Sequence, residues 1–117
     1  MEPQNYYPVV RKILADTVTP VSTYLRLRTL YPKTILLESS DYRGHDNAWS
    51  FVCVEPMVSF TADQGKVTIE YTGNGRSFFD VTPQQPLHDL LDQFYSSFHI
   101  AETDDKLPAN GLFGYMN

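Results

Sequence analysis

Hydrophobic positions change period several times along this chain, and the changes divide it into elements. The densest apolar run is Thr34-Ile35-Leu36-Leu37-Glu38-Ser39-Ser40, which closes abruptly on a carboxylate and two hydroxyls. Its continuous β-branched and aliphatic stretch predicts a strand buried on both faces. A Glu at the end of such a strand is costly to bury unless something pairs with it. Upstream, Thr19 suits a helix N-cap, Pro20 the first helical position and Pro32 the stop. Between them Tyr24, Leu27 and Tyr31 share one face, with Val21 and Leu25 beside it and Arg26 and Arg28 around the rest. Ahead of that helix, Tyr6-Tyr7-Pro8-Val9-Val10 reads as a short strand.

Beyond the apolar run, Ser40-Asp41-Tyr42-Arg43-Gly44-His45-Asp46-Asn47 is polar and predicts a loop. Trp49-Ser50-Phe51-Val52-Cys53-Val54-Glu55 predicts the next strand, ended by Pro56. Val58, Phe60 and Ala62 alternate with polar residues, as do Val67, Ile69 and Tyr71. Asp63-Gln64-Gly65-Lys66 between them is a hairpin connection. Gly73-Asn74-Gly75 gives a second turn, and residues 76 to 81 another strand. These strands predict an antiparallel meander with one wet face. Thr82-Pro83-Gln84-Gln85-Pro86 then ends the sheet. Leu87, Leu90, Leu91, Phe94 and Phe98 keep a helical period, with His88, Asp89, Asp92, Gln93 and Ser96 on the other side. Residues 101 to 110 form a charged loop with Pro108, and the apolar, glycine-rich Gly111-Leu112-Phe113-Gly114-Tyr115-Met116-Asn117 follows.

The pattern predicts an α+β fold: one domain over residues 1–117, an antiparallel β-sheet with two principal α-helices packed on it. Ending on an apolar stretch without a polar tail is unusual for a natural domain. The expectation is therefore a fragment of a larger protein.

Composition narrows the function. The 117 residues are 42% hydrophobic and 14% aromatic, enough for one modest core. A net charge of −5 leaves no basic stripe for nucleic acid or an anionic membrane. The single Cys53 precludes an internal disulfide or a cysteine-built zinc site, and its apolar neighbours suggest a small buried hydrophobe. The polar start Met1-Glu2-Pro3-Gln4-Asn5 has no secretory apolar core, so a cytoplasmic location is expected.

Candidate chemistry is sparse. His45, His88 and His99 lack metal-ligand spacing, and Glu102, Asp104 and Asp105 read as a solvated charge run. The glycine clusters have no phosphate-loop spacing, and the serines no nucleophile elbow. Arg26, Arg28 and Arg43 are candidates for a carboxylate ligand, set against ordinary solvated arginines. Glu38-Ser39 is the more specific pair. Its Glu needs a cation, either an Arg or Lys of the same domain or the ammonium of a free amino acid.

Four stretches in order, Thr19-Pro20-Val21-Ser22-Thr23-Tyr24-Leu25-Arg26-Leu27, Leu36-Leu37-Glu38-Ser39, Trp49-Ser50-Phe51 and Gly111-Leu112-Phe113-Gly114-Tyr115-Met116, resemble the N-terminal region of the anthranilate synthase component I family. The resemblance runs from about residue 17 to the end. These are chorismate-utilising enzymes that form anthranilate and pyruvate from chorismate and glutamine-derived ammonia, with magnesium and a glutamine amidotransferase component II as partner. The Leu-Leu-Glu-Ser motif of that family lines its feedback-inhibitory tryptophan site, which implies L-tryptophan contacts for Leu37, Glu38 and Ser39. Para-aminobenzoate synthase component I shares the framework and commonly replaces the Glu. The family's chorismate pocket, magnesium ligands and acid/base residues lie in a C-terminal portion that these residues do not include. The resemblance therefore implies no catalytic residue, metal or cofactor here, only part of a regulatory pocket. Apolar surface left exposed without that C-terminal portion would promote self-association, so a homodimer is a further expectation. A stand-alone amino-acid-binding module and a purely structural domain are the other readings.

Overall fold

Regular structure in the computed structural model, which describes residues 1–38, 49–101 and 111–116, begins with turns that local chemistry dictates. Gln64 and Gly65 both take positive φ, 50° and 76°, the backbone needed for a two-residue hairpin loop that matches strand twist. This loop joins β4 (Val58–Asp63) to β5 (Lys66–Tyr71), pairing Asp63 with Lys66 and Phe60 with Ile69. Gly73 and Gly75, also at positive φ, close the next turn into β6 (Gly75–Asp80), which pairs antiparallel with β5. The predicted meander is thus a three-stranded sheet in the order β4-β5-β6.

The helix α2 (Leu87–Ser96) supplies that sheet with a core. Val67 and Ile69 of β5 and Leu90 and Phe94 of α2 are fully buried, with Val58, Phe60, Tyr71, Phe79, Val81 and Phe98 packed around them. Phe94 lies 5.1 Å from the Phe60 ring and meets Phe98 edge-on at 4.9 Å, geometries that add to simple burial. Phe98 belongs to β7 (Phe98–Ile100), not to the helix as its spacing suggests. The helix ends at Ser97, whose backbone N–H donates to Gln93 and Phe94 and whose hydroxyl donates to the Phe94 carbonyl at 2.6 Å. Phe98 still reaches the core from the strand.

β1 (Gln4–Tyr6) pairs with β7 in parallel, Gln4 opposite Phe98 and Tyr6 opposite Ile100. The strand expected over Tyr6 to Val10 is therefore shifted toward the N-terminus. Tyr7 and Val9 are exposed, Val9 at 95%, because Pro8 has no N–H to extend the ladder.

α1 (Pro20–Leu30) begins as its sequence predicts. The Thr19 hydroxyl accepts from the Ser22 N–H and the Thr19 N–H donates to the Ser22 hydroxyl, both at 3.1 Å, so two otherwise orphaned donors are satisfied. Tyr24 and Leu27 are half-buried, Val21 and Leu25 exposed. The helix packs on β2 (Ile35–Glu38) and β3 (Ser50–Cys53), an antiparallel pair.

Contacts gather the chain into two compact units: Met1–Arg11 with Met57–Leu112, and Lys12–Pro56 with Phe113–Asn117. The α+β class holds. Its strands, however, are distributed over a three-stranded antiparallel sheet, a two-stranded antiparallel sheet and a two-stranded parallel one.

Candidate functional site

The Leu36-Leu37-Glu38 run occupies β2, and the register with β3 fixes its neighbours. Leu36 lies opposite Val52, Leu37 opposite Phe51 and Glu38 opposite Ser50. Alternation along a strand puts successive side chains on opposite faces. Glu38 therefore shares a face with Ser50, Leu36 and Val52, whereas Leu37 shares one with Phe51, Ile35 and Cys53.

Burial differs from the expected strand closed on both faces. Thr34 is buried, Ile35, Leu36 and Leu37 are half-buried, and Glu38 is exposed. A two-stranded ladder is too narrow to enclose its own apolar residues. The desolvation cost that would have required a cation beside Glu38 does not arise, because its carboxylate stays in contact with water. An exposed carboxylate at a strand end is also open to a ligand. Ser39, the next residue of the motif, lies outside the described residues, as do Arg43, His45 and the predicted loop around them.

Two aromatic groups flank this end of the ladder. Trp49, immediately before β3, is 44% exposed. The Phe51 ring lies 5.1 Å from the Phe113 ring at a 40° tilt. This contact brings Phe113 onto β3 on Leu37's side, although residues 113–116 form no strand. Sequence periodicity has no access to such a contact, since more than sixty residues separate the two rings. Cys53, at the far end of β3, is half-buried, and burial pushes its thiol above the ordinary value. A protonated thiol is a poor nucleophile, which agrees with a packing role.

The remaining candidates are dispersed. Arg26 is exposed on α1, and the Arg28 guanidinium stacks over the Tyr24 ring at 5.5 Å. His88 sits 3.1 Å from the Asp89 carboxylate in an exposed pair, and His99 is exposed on β7. Among the described residues no group of His, Cys, Asp or Glu is arranged to hold a metal ion. A shallow concavity beside β1 and β7 is lined by Asn5, Tyr6, Phe98 and His99, and a second by Gln4, Tyr71 and Ser77; neither is lined by Leu37 or Glu38. Among the described residues no helix is long and apolar enough to cross a membrane.

Curated proteins give a consistent picture. The chain is 31% identical over 113 residues to anthranilate synthase component 1 of Acinetobacter calcoaceticus, covering 96% of this chain and 22% of that protein. It is 33% identical over 110 residues to anthranilate synthase component 1 of Thermus thermophilus, covering 92% of this chain and 21% of the relative. The Mycobacterium tuberculosis (H37Rv) protein of the same name is 39% identical over 59 residues, 50% of this chain and 11% of its own length. The chain thus spans between 11% and 22% of these relatives. No family model matches it, and no solved structure matches it significantly.

Proposed function

We propose, from this chain's relationship to anthranilate synthase component 1, that it is the N-terminal regulatory domain of an enzyme of that kind, in the cytoplasm and in tryptophan biosynthesis. The parent enzyme, a lyase, forms anthranilate and pyruvate from chorismate and ammonia, the ammonia delivered by a glutamine amidotransferase component II. Magnesium and the acid/base residues belong to a C-terminal portion outside these residues. These 117 residues are inactive by themselves.

Their contribution is one side of a feedback site for L-tryptophan, built from Leu37, Glu38 and Ser39. The observation that carries this reading is the placement of Glu38: an exposed carboxylate closing a half-buried strand inside the Leu-Leu-Glu-Ser motif. A carboxylate in that position attracts the ligand's ammonium, and a neighbouring hydroxyl adapts as donor or acceptor. The opposite side of the pocket comes from residues elsewhere in the parent enzyme. Tryptophan inhibits only by binding one arrangement of the two sides more tightly than another, and it favours the less active one.

Calorimetric titration of L-tryptophan into the 117-residue chain tests the half-pocket. Binding is expected to be weak or undetectable. Affinity on the order of micromolar or better would instead make the chain a stand-alone amino-acid-binding module. The para-aminobenzoate branch is less favoured because Glu38 is present; anthranilate, not para-aminobenzoate, is the product expected when the complete reading frame is supplied with chorismate and ammonia.

A further inference from the structure

The outer edge of β6 has the chemistry of a self-complementary interface. Among the described residues no strand pairs with β6 on the side away from β5. The N–H of Val81 donates to the Gly65 carbonyl at 2.8 Å, extending the β5–β6 ladder by one bonded pair. Alternation of an antiparallel ladder then directs the backbone groups of Gly75, Ser77 and Phe79 toward β5. Those of Arg76, Phe78 and Asp80 point outward, with no partner strand among the described residues. Unpaired donors and acceptors in a row form a template for another strand.

The side chains of these three residues agree with that reading. Ser77 and Phe79 lie on the core face, and Phe79 packs on the core. Arg76, Phe78 and Asp80 are exposed on the other face, Phe78 at 67%. The strand contains no Lys or Pro to discourage pairing. When β6 is laid antiparallel against a second β6 about a two-fold axis at Phe78, the two Phe78 side chains become direct neighbours. Arg76, whose Nε also lies 3.4 Å from the Glu70 carboxylate of its own sheet, then faces the Asp80 of the other copy, and Asp80 faces its Arg76. Each cross-strand pair is apolar with apolar or opposite in charge. The same register brings outward-pointing backbone groups together, because all three residues have the same parity. The other sheet edge, β4, has no such match: its only charged residue is Asp63.

We infer that two copies of this chain associate through β6, joining their three-stranded sheets into one six-stranded sheet with Phe78 at the two-fold axis. The occupant of the edge is a second copy, chosen by charge complementarity and by backbone parity. The interface is small, so the dimer is reversible and concentration-dependent. The inference is independent of the tryptophan site, which lies on β2.

Sedimentation analysis of the full 117-residue chain over a concentration series provides the test, together with two substitutions at the axis. The unsubstituted chain is expected to move from 13.4 kDa toward twice that mass. Phe78→Lys and Phe78→Asp each place like charges face to face and are expected to weaken the dimer by at least about tenfold. An equimolar mixture of the two recovers association as a heterodimer, because position 78 faces itself. Both variants should retain the parent circular-dichroism spectrum, since Phe78 is outside the core. A chain that stays monomeric throughout, as expected if another segment or protein covers β6, overturns the inference. So does dimerisation that either variant leaves intact, or a mixture that fails to associate.

Discussion

Among the described residues, two side chains have their acid–base behaviour set by where the fold places them. Burial raises the Cys53 thiol, and burial followed by the Tyr6 and Glu2 charges raises the Tyr71 phenol. Each group is an acid that the folded state holds in its neutral form more firmly than the unfolded chain does. The sign follows: their contribution is fully present below the unfolded-state values and declines as pH rises through them, above about pH 9. Urea unfolding at neutral pH and at about pH 10.5 is expected to give a lower midpoint at the higher value, with Cys53→Ala and Tyr71→Phe each reducing the difference. An unchanged midpoint would show that neither group senses the fold. Other single residues were readable from their neighbours alone. Thr19 caps its helix because Ser22 is three residues away, and Gln64-Gly65 turns because only two residues separate the alternating runs. Glu38 was different. Its cost as a buried charge follows only if the strand is enclosed, and the width of the sheet around it is not a local property.

At the scale of elements, α2 and the β4-β5-β6 sheet hold the described core between them, and Phe94 is its centre. It touches the rings of both Phe60 and Phe98. Phe94→Ala is expected to cost about 3–5 kcal/mol, measured by chemical unfolding at concentrations where the chain is monomeric; Phe78→Ala, exposed in the monomer, should there cost well under 1 kcal/mol by the usual behaviour of surface sites. Similar losses for the two would mean that the core lies elsewhere. The meander and both helices were legible because their signals are periods and turns within ten or so residues. The boundary of α2 was less so. Phe98 continues the helical spacing, yet it enters the same core from a strand, so periodicity alone cannot separate the two. The parallel pairing of Gln4 with Phe98 joins opposite ends of the chain, and nothing near either residue announces it.

For the whole molecule, length is the decisive fact. The chain aligns over nearly its full extent with the anthranilate synthase component 1 proteins of Acinetobacter calcoaceticus and Thermus thermophilus, of which it spans about a fifth. The Leu-Leu-Glu-Ser motif could be found in the sequence as a resemblance, and the structure places its Glu at an exposed strand end, with Leu37 on the face of Phe51. The partner side of the proposed pocket was not legible here because the proposal assigns it to residues other than these 117. The central claim is that Glu38 holds the inhibitor and takes no part in turnover. It is tested most directly by tryptophan titration of anthranilate formation by the complete enzyme, with and without Glu38→Ala. Loss of the ammonium's partner is expected to raise the half-inhibitory tryptophan concentration by tenfold or more, an effect of about 1.5–3 kcal/mol for a charged hydrogen bond, while uninhibited turnover stays near its original value. Unchanged inhibition in Glu38→Ala would contradict the account.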